Sequence, residues 1–254
     1  MKNKSLKIVI TLLLTLAGVM ACVPFAKYFL LATQRQKLEI VTQKELPETT
    51  ASTEIIHAPT FSEALELMDQ PNQVEAIGRI VIPSVSIAQP ILVGVTSSHL
   101  MQGVVTLFPQ RQPYQSSLTL IGHHLRYDAL GGGLLFGGIQ TLNKGASVYL
   151  DYLGKSYQYE VSSNQLIRET DLRAVADQGP EVLFLVTCNE GVATPYRVLV
   201  TAKRVPSEGA ATFEAQWKKS EQNYHSNYLW RFIVPFILLI IVYSVLLYVV
   251  WRMK

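Results

Sequence analysis

The sequence predicts an all-β fold, an eight-stranded barrel with short helices, set between two membrane-spanning helices. Three observations carry that expectation. From Ala76 to Val205 short apolar, β-branched runs recur between clusters of Pro, Gly and polar residues, the pattern of many short strands joined by tight turns. Two uncharged stretches, Ile8–Phe25 and Phe232–Trp251, are 18 and 20 residues long, enough to cross the hydrocarbon core of a bilayer. Charge is sparse, 16% against 49% hydrophobic residues, and the two apolar stretches account for the imbalance.

In chain order, residues 1–32 read as a basic tail and an N-terminal anchor. Lys2, Lys4 and Lys7 place its start in the cytoplasm. Val19-Met-Ala-Cys22 faintly matches a lipoprotein signal, but apolar sequence continues past Cys22 and favours an uncleaved anchor. Residues 33–75 read as a polar linker ending in a short amphipathic helix. Thr60-Phe-Ser-Glu63 forms a capping box there, with Phe61, Ala64, Leu65 and Met68 on one face. Residues 76–206 are the barrel, 207–231 a juxtamembrane tether that is helical near the membrane, 232–251 the second span and 252–254 a basic tail. Both tails then lie inside the cell and the barrel outside.

Within the barrel, Ile77–Ile82 is a strand ended by Pro83. Val85–Ile87 and Ile91–Val93 are two strands separated at Pro90, and Gly94–Gly103 is a loop with a helical turn. Val104–Phe108 and Leu118–Ile121 flank a polar turn, and Leu134–Leu142 includes a second helical turn. Ser147–Tyr152 and Lys155–Val161 alternate around Leu153-Gly154 as a hairpin. Leu172–Ala176 is a short helix, and Val182–Cys188 and Arg197–Val205 close the set.

Three strand ends carry chemistry. Val182–Cys188 ends in a thiol, Leu118–Ile121 runs into Gly122-His123-His124, and Arg197 opens the last strand. Taken singly, each is ordinary: a buried cysteine, a loop histidine, a solvated arginine. Together they match a thiol nucleophile, an imidazole to move its proton and a cation or backbone donor for an oxyanion. A zinc site of His123, His124 and Cys188 lacks a fourth ligand and short-spaced ligand pairs. A net charge of +3 without a basic-aromatic stripe argues against nucleic acid. No phosphate loop or metalloprotease motif is present.

Leu185-Val-Thr-Cys188, with Arg197 opening the next strand and Ile121-Gly-His123 some 65 residues before, resembles the signature of sortases. The resemblance covers about residues 76–204. It implies an eight-stranded barrel and a cysteine transpeptidase that needs no cofactor. Such an enzyme cleaves a Leu-Pro-x-Thr-Gly sorting signal between Thr and Gly through a thioester, then joins Thr to an amine. By the family's pattern Cys188 is the nucleophile, His123 the acid–base residue and Arg197 the group holding substrate or oxyanion. Thr187 is expected to assist at the oxyanion, and His124 is a neighbour of the catalytic histidine. The implied partners are surface proteins carrying a sorting signal, and an acceptor amine of peptidoglycan precursor or of a pilin lysine.

The Ile121-Gly-His-His run and the loop from Cys188 to Arg197 resemble the wall-anchoring branch, whereas a second span is more usual in the pilin branch. Some relatives bind calcium through an acidic loop before the His strand. Phe108–Ser117 has no acid, so no metal is expected. Leu46-Pro-Glu-Thr-Thr50 is one residue short of a sorting signal, which a chance match in a Thr-rich linker explains; the sharper alternative is a pseudosubstrate. Two other functions fit the same residues: a cysteine protease that hydrolyses the thioester, and a non-catalytic tethered barrel acting as an interaction module.

Overall fold

The structure is a computed structural model that describes residues 2–47, 56–125, 135–191, 194–206 and 208–252. Its centre is a closed barrel of eight strands. In chain order these are β3 (Gly78–Ile82), β4 (Ile87–Leu92), β5 (Val104–Thr106), β6 (Leu118–Ile121), β7 (Ser147–Tyr152), β8 (Lys155–Arg168), β9 (Val182–Cys188) and β10 (Tyr196–Val205). Around the barrel the order is β10-β8-β7-β3-β4-β5-β6-β9, with β9 closing back onto β10. Alternate residues fill the interior: Ile80, Ile82, Ile87, Ile91, Leu118, Leu120, Leu183, Leu185, Val198 and Val200 form one cluster with Phe136 and Tyr159. The period of two that places them inside sends their neighbours to the outer face.

The all-β expectation holds for the barrel and not for the chain. Helix α1 (Lys2–Lys37) is 36 residues long. Helix α4 (Ala210–Tyr228) runs through a π-helical turn, Leu229–Ile233, into α5 (Val234–Arg252). Two segments of these helices are long and apolar enough to cross a membrane. The two lie antiparallel: Lys7 Nζ donates to the Trp251 carbonyl at 3.2 Å, Thr15 Oγ1 lies 2.6 Å from the Tyr243 hydroxyl, and Thr33 Oγ1 lies 2.9 Å from that of Tyr228.

The described residues of the expected polar linker carry regular structure. Helix α1 continues to Lys37, and β1 (Glu39–Thr42) pairs in parallel with β2 (Gln73–Ala76). Helix α2 (Phe61–Met68) has the predicted bounds and capping box, but its buried residues are Ala64 and Leu67, and Phe61 and Leu65 of the expected face are exposed. Leu46 packs against the barrel core, and Pro47 lines a cleft with Gln70, Val93 and His99. Glu48–Thr50 of the signal-like run fall outside the described residues. The juxtamembrane tether is an anchored helix: Phe213 and Trp217 of α4 are buried against Val81 and Ala88. Arg79 of β3 reaches Asp151 at 2.9 Å and Glu214 of α4 at 2.5 Å, lying over both rings. Arg35 of α1 donates to the Ala88 carbonyl at 2.8 Å beside Trp217 and Tyr224.

Several strand bounds also differ: Pro83–Val85 is a 3₁₀ turn, so β4 starts at Ile87 and not at Val85, and β5 ends at Thr106 and not at Phe108. Pro90 lies inside β4, opposite Arg79. Ile77 donates to the Ile91 carbonyl at 2.9 Å, so Ile91 faces β3 and the proline nitrogen faces the other side. There β5 starts only opposite Ile91, so no ladder bond is lost. Strand β8 extends to Arg168, because its polar second half pairs with β10 across a bulge between Thr201 and Ala202. The predicted turns are α3 (Ser97–Gln102) and 3₁₀ turns at Gly137–Thr141 and Leu172–Val175; Leu134 falls outside the described residues.

Candidate active site

Strand register brings three of the four singled-out residues into one row. Cys188 stands directly opposite Arg197 in the antiparallel β9–β10 pair, so both side chains project from the same face. On the other flank β6 runs parallel to β9, with Ile121 opposite Val186. Two residues beyond that pair stand His123 and Cys188. A Cβ on Gly122 would lie 2.9 Å from Phe136 in the interior, so Gly122 faces inward and His123 outward. With strands about 4.8 Å apart, imidazole, thiol and guanidinium lie in order across the outer face of β6, β9 and β10.

Thr187 faces the other way. It is buried, and its hydroxyl donates to the Gly122 carbonyl at 2.8 Å. The hydroxyl ties the thiol strand to the histidine strand at the level of the row.

His123 is 6% exposed. Leu31 of α1, Ala64 and Leu67 of α2, Met101 of α3, and Leu125 and Leu135 form one apolar cluster over the histidine segment. Burial pushes the imidazole from its ordinary 6.5 down to about 4, against the opposing pull of Glu63; His57 and Lys27 push the same way as burial. The ring is thus neutral at physiological pH, and its Nε2 is buried without a hydrogen-bond partner among the described residues. Cys188 is half-buried. The Arg197 guanidinium donates to the Thr194 and Tyr196 carbonyls at 2.7 and 2.8 Å and pairs with Glu169, just past β8, at 2.5 Å.

Two participants had no sequence signal. Glu169 meets Arg197 only because β8 runs longer than its apolar pattern suggests. Gln140, in the 3₁₀ turn, touches His124 and the main chain of Cys188 and Asn189. Among the described residues no group of three or more His, Cys, Asp or Glu is arranged to hold a metal.

A neutral imidazole and a reachable thiol on one face, with a fixed cation beside them, suit nucleophilic acyl transfer. The sortase domain family profile matches residues 80–205. The provisionally named sortase YwpE of Bacillus subtilis (strain 168) is 32% identical over 95 residues, 37% of this chain and 89% of the relative. The chain belongs to the sortase family. Sortase A of Bacillus anthracis is 28% identical over 192 residues, 74% of this chain and 88% of its own. The crystal structure of Listeria monocytogenes sortase A superposes with a TM-score of 0.49 at 26% identity, covering 53% of this chain and 90% of that one. As a sortase, the chain is a cysteine transpeptidase acting on sorting-signal proteins and amine acceptors.

Proposed function

We propose that this sortase is anchored in the cell membrane by α1 and α5 and joins surface proteins to an amine of the cell-wall precursor, with Cys188, His123 and Arg197 as its catalytic residues. The observation that carries the reading is the row of the three side chains across β6, β9 and β10. Neutral His123 takes the proton of the Cys188 thiol as sulfur attacks the Thr carbonyl of a Leu-Pro-x-Thr-Gly signal. Arg197 holds the oxyanion as the carbon–sulfur bond forms. The carbon–nitrogen bond to Gly breaks, and the imidazolium returns its proton to the leaving amine. In the second half an acceptor amine attacks the thioester and gives its proton to His123. The amide forms and the thiolate leaves, to be reprotonated. Glu169 and the Thr194 and Tyr196 carbonyls hold the guanidinium at the start of β10 before substrate arrives.

Membrane anchoring is supported by two antiparallel apolar helices whose basic ends, Lys4 and Lys7 on one and Arg252 on the other, fall on the same side. The barrel, at the opposite end, then faces outward. The name sortase A carried by the Bacillus anthracis relative and the loop from Cys188 to Arg197 favour wall anchoring. The second apolar helix favours the alternative, pilin polymerisation onto a lysine. Incubating a Leu-Pro-x-Thr-Gly peptide with glycine-rich and lysine-bearing acceptors separates the two. Transfer mainly to the N-terminal glycine amine supports wall anchoring, transfer mainly to the lysine side chain supports the pilin reading, and hydrolysis alone contradicts both.

A further inference from the structure

The β6–β9 ladder ends where Gly122 donates to the Val186 carbonyl at 3.1 Å. Two residues on, the period of the strand turns the Cys188 carbonyl to the same side, where β6 no longer pairs with it. The Gln140 side chain fills that place. Its Nε2 donates to the carbonyls of Asn189 at 2.7 Å and Cys188 at 3.2 Å and lies 2.8 Å from Nδ1 of His124. The turn that bears Gln140 is itself fixed from β8: Asn164 Nδ2 donates to the carbonyls of Ile139, Gln140 and Leu142 at 3.0–3.1 Å. From Asn189 the chain of contacts continues. The Thr194 hydroxyl donates to the Asn189 side-chain oxygen, and Arg197 donates to the Thr194 carbonyl at 2.7 Å.

We propose that Gln140 is a positioning residue of this sortase, a neutral donor spanning the fork between the histidine and thiol strands. It fixes the Cys188 main chain against the His123–His124 segment and, through Asn189 and Thr194, sets the loop that orients Arg197. The inference rests on Cys188 being the nucleophile. The chemistry explains the residue type. The partners are two carbonyls and an imidazole nitrogen, so the bridging group must donate and needs reach. A carboxylate of equal size would turn acceptor against acceptor, and an apolar side chain would leave the carbonyls unpaired. His124 is the titratable side chain in contact with it.

The test compares wild type, Gln140→Glu, Gln140→Leu and Cys188→Ala in the full chain, with a quenched Leu-Pro-Glu-Thr-Gly peptide, triglycine as acceptor, and thermal unfolding of each variant. Both Gln140 variants are expected to lose kcat on the order of 10- to 100-fold, the scale of a small misplacement near the reacting atoms. KM should stay within about threefold, as for an interaction that matters in the transition state rather than in substrate binding. The ratio of kcat for Gln140→Glu over Gln140→Leu should rise as pH falls toward 5, because a protonated Glu donates again and Leu never does. Wild-type kcat in both variants would overturn the proposal. So would equal losses at every pH that merely follow lost folded protein. Turnover retained by Cys188→Ala would instead sink the catalytic reading beneath it.

Discussion

Arg197 and His123 illustrate how much one side chain's surroundings decide. Arg197 pairs with Glu169 through one nitrogen and with two carbonyls through another, a fork that a lysine ammonium cannot reproduce. Arg197→Lys is therefore expected to lose activity on the order of 100-fold or more, the scale of a missing oxyanion donor, with the barrel folded as before; near-wild-type kcat/KM would contradict its role. His123 makes a pH prediction. Below its ordinary 6.5 the unfolded chain binds a proton that the folded protein, with the ring at about 4, refuses. Its contribution is thus fully present above pH 6.5 and is lost as pH falls toward 4, roughly 3 kcal/mol in all. Melting curves of wild type and His123→Gln should converge over that window; a constant gap would count against the burial argument. At this scale the thiol, imidazole and guanidinium were legible because each ends or opens an apolar strand. Gln140 was not, because backbone carbonyls leave no mark in a sequence.

At the scale of elements, most strands were readable from alternation and turn residues, and β6, β7 and β9 have the bounds expected. The two strand segments missed outright, β1 and the second half of β8, share one cause: pairing partners supplied from a distance. Strand β1 forms because β2 offers an edge, and the polar end of β8 forms because β10 needs a neighbour. Neither segment has enough apolar pattern to announce itself. Helix α4 is a comparable case, since its few apolar residues include the two that dock. Trp217 is 6% exposed, stacks on Phe213 at 6.2 Å and meets Arg79 and Arg35. Trp217→Ala should destabilise the docked barrel by about 3–5 kcal/mol, the range for a buried aromatic truncation. A lowered melting temperature in detergent would read this out, and an unchanged one would show that the helix is a loose tether after all.

For the molecule as a whole, the barrel and the two apolar helices form one connected body. Arg35 and Arg79 join helix to barrel, and the hydroxyl pairs join helix to helix. That arrangement was out of reach from the sequence, which showed two apolar stretches without showing that they meet. On the far side of the barrel the loop before β6 is tied to the loop before β9 by protein groups. Arg111 donates to the Val175 carbonyl at 2.8 Å, and Asp177 accepts from the Ser117 amide and hydroxyl and the Gly179 amide. Those amides pull the Asp177 carboxyl down to about 2. With the loops already joined, turnover should change less than about twofold between chelator and millimolar calcium, the range in which extracellular calcium sites fill; clear activation would contradict this. The most direct test of the central claim is the intact mass of the enzyme after brief exposure to a sorting-signal peptide without an amine. A hydroxylamine-labile adduct ending at the signal's Thr is expected, located on Cys188 and absent from Cys188→Ala. An adduct elsewhere, or cleavage that persists without that sulfur, would contradict it.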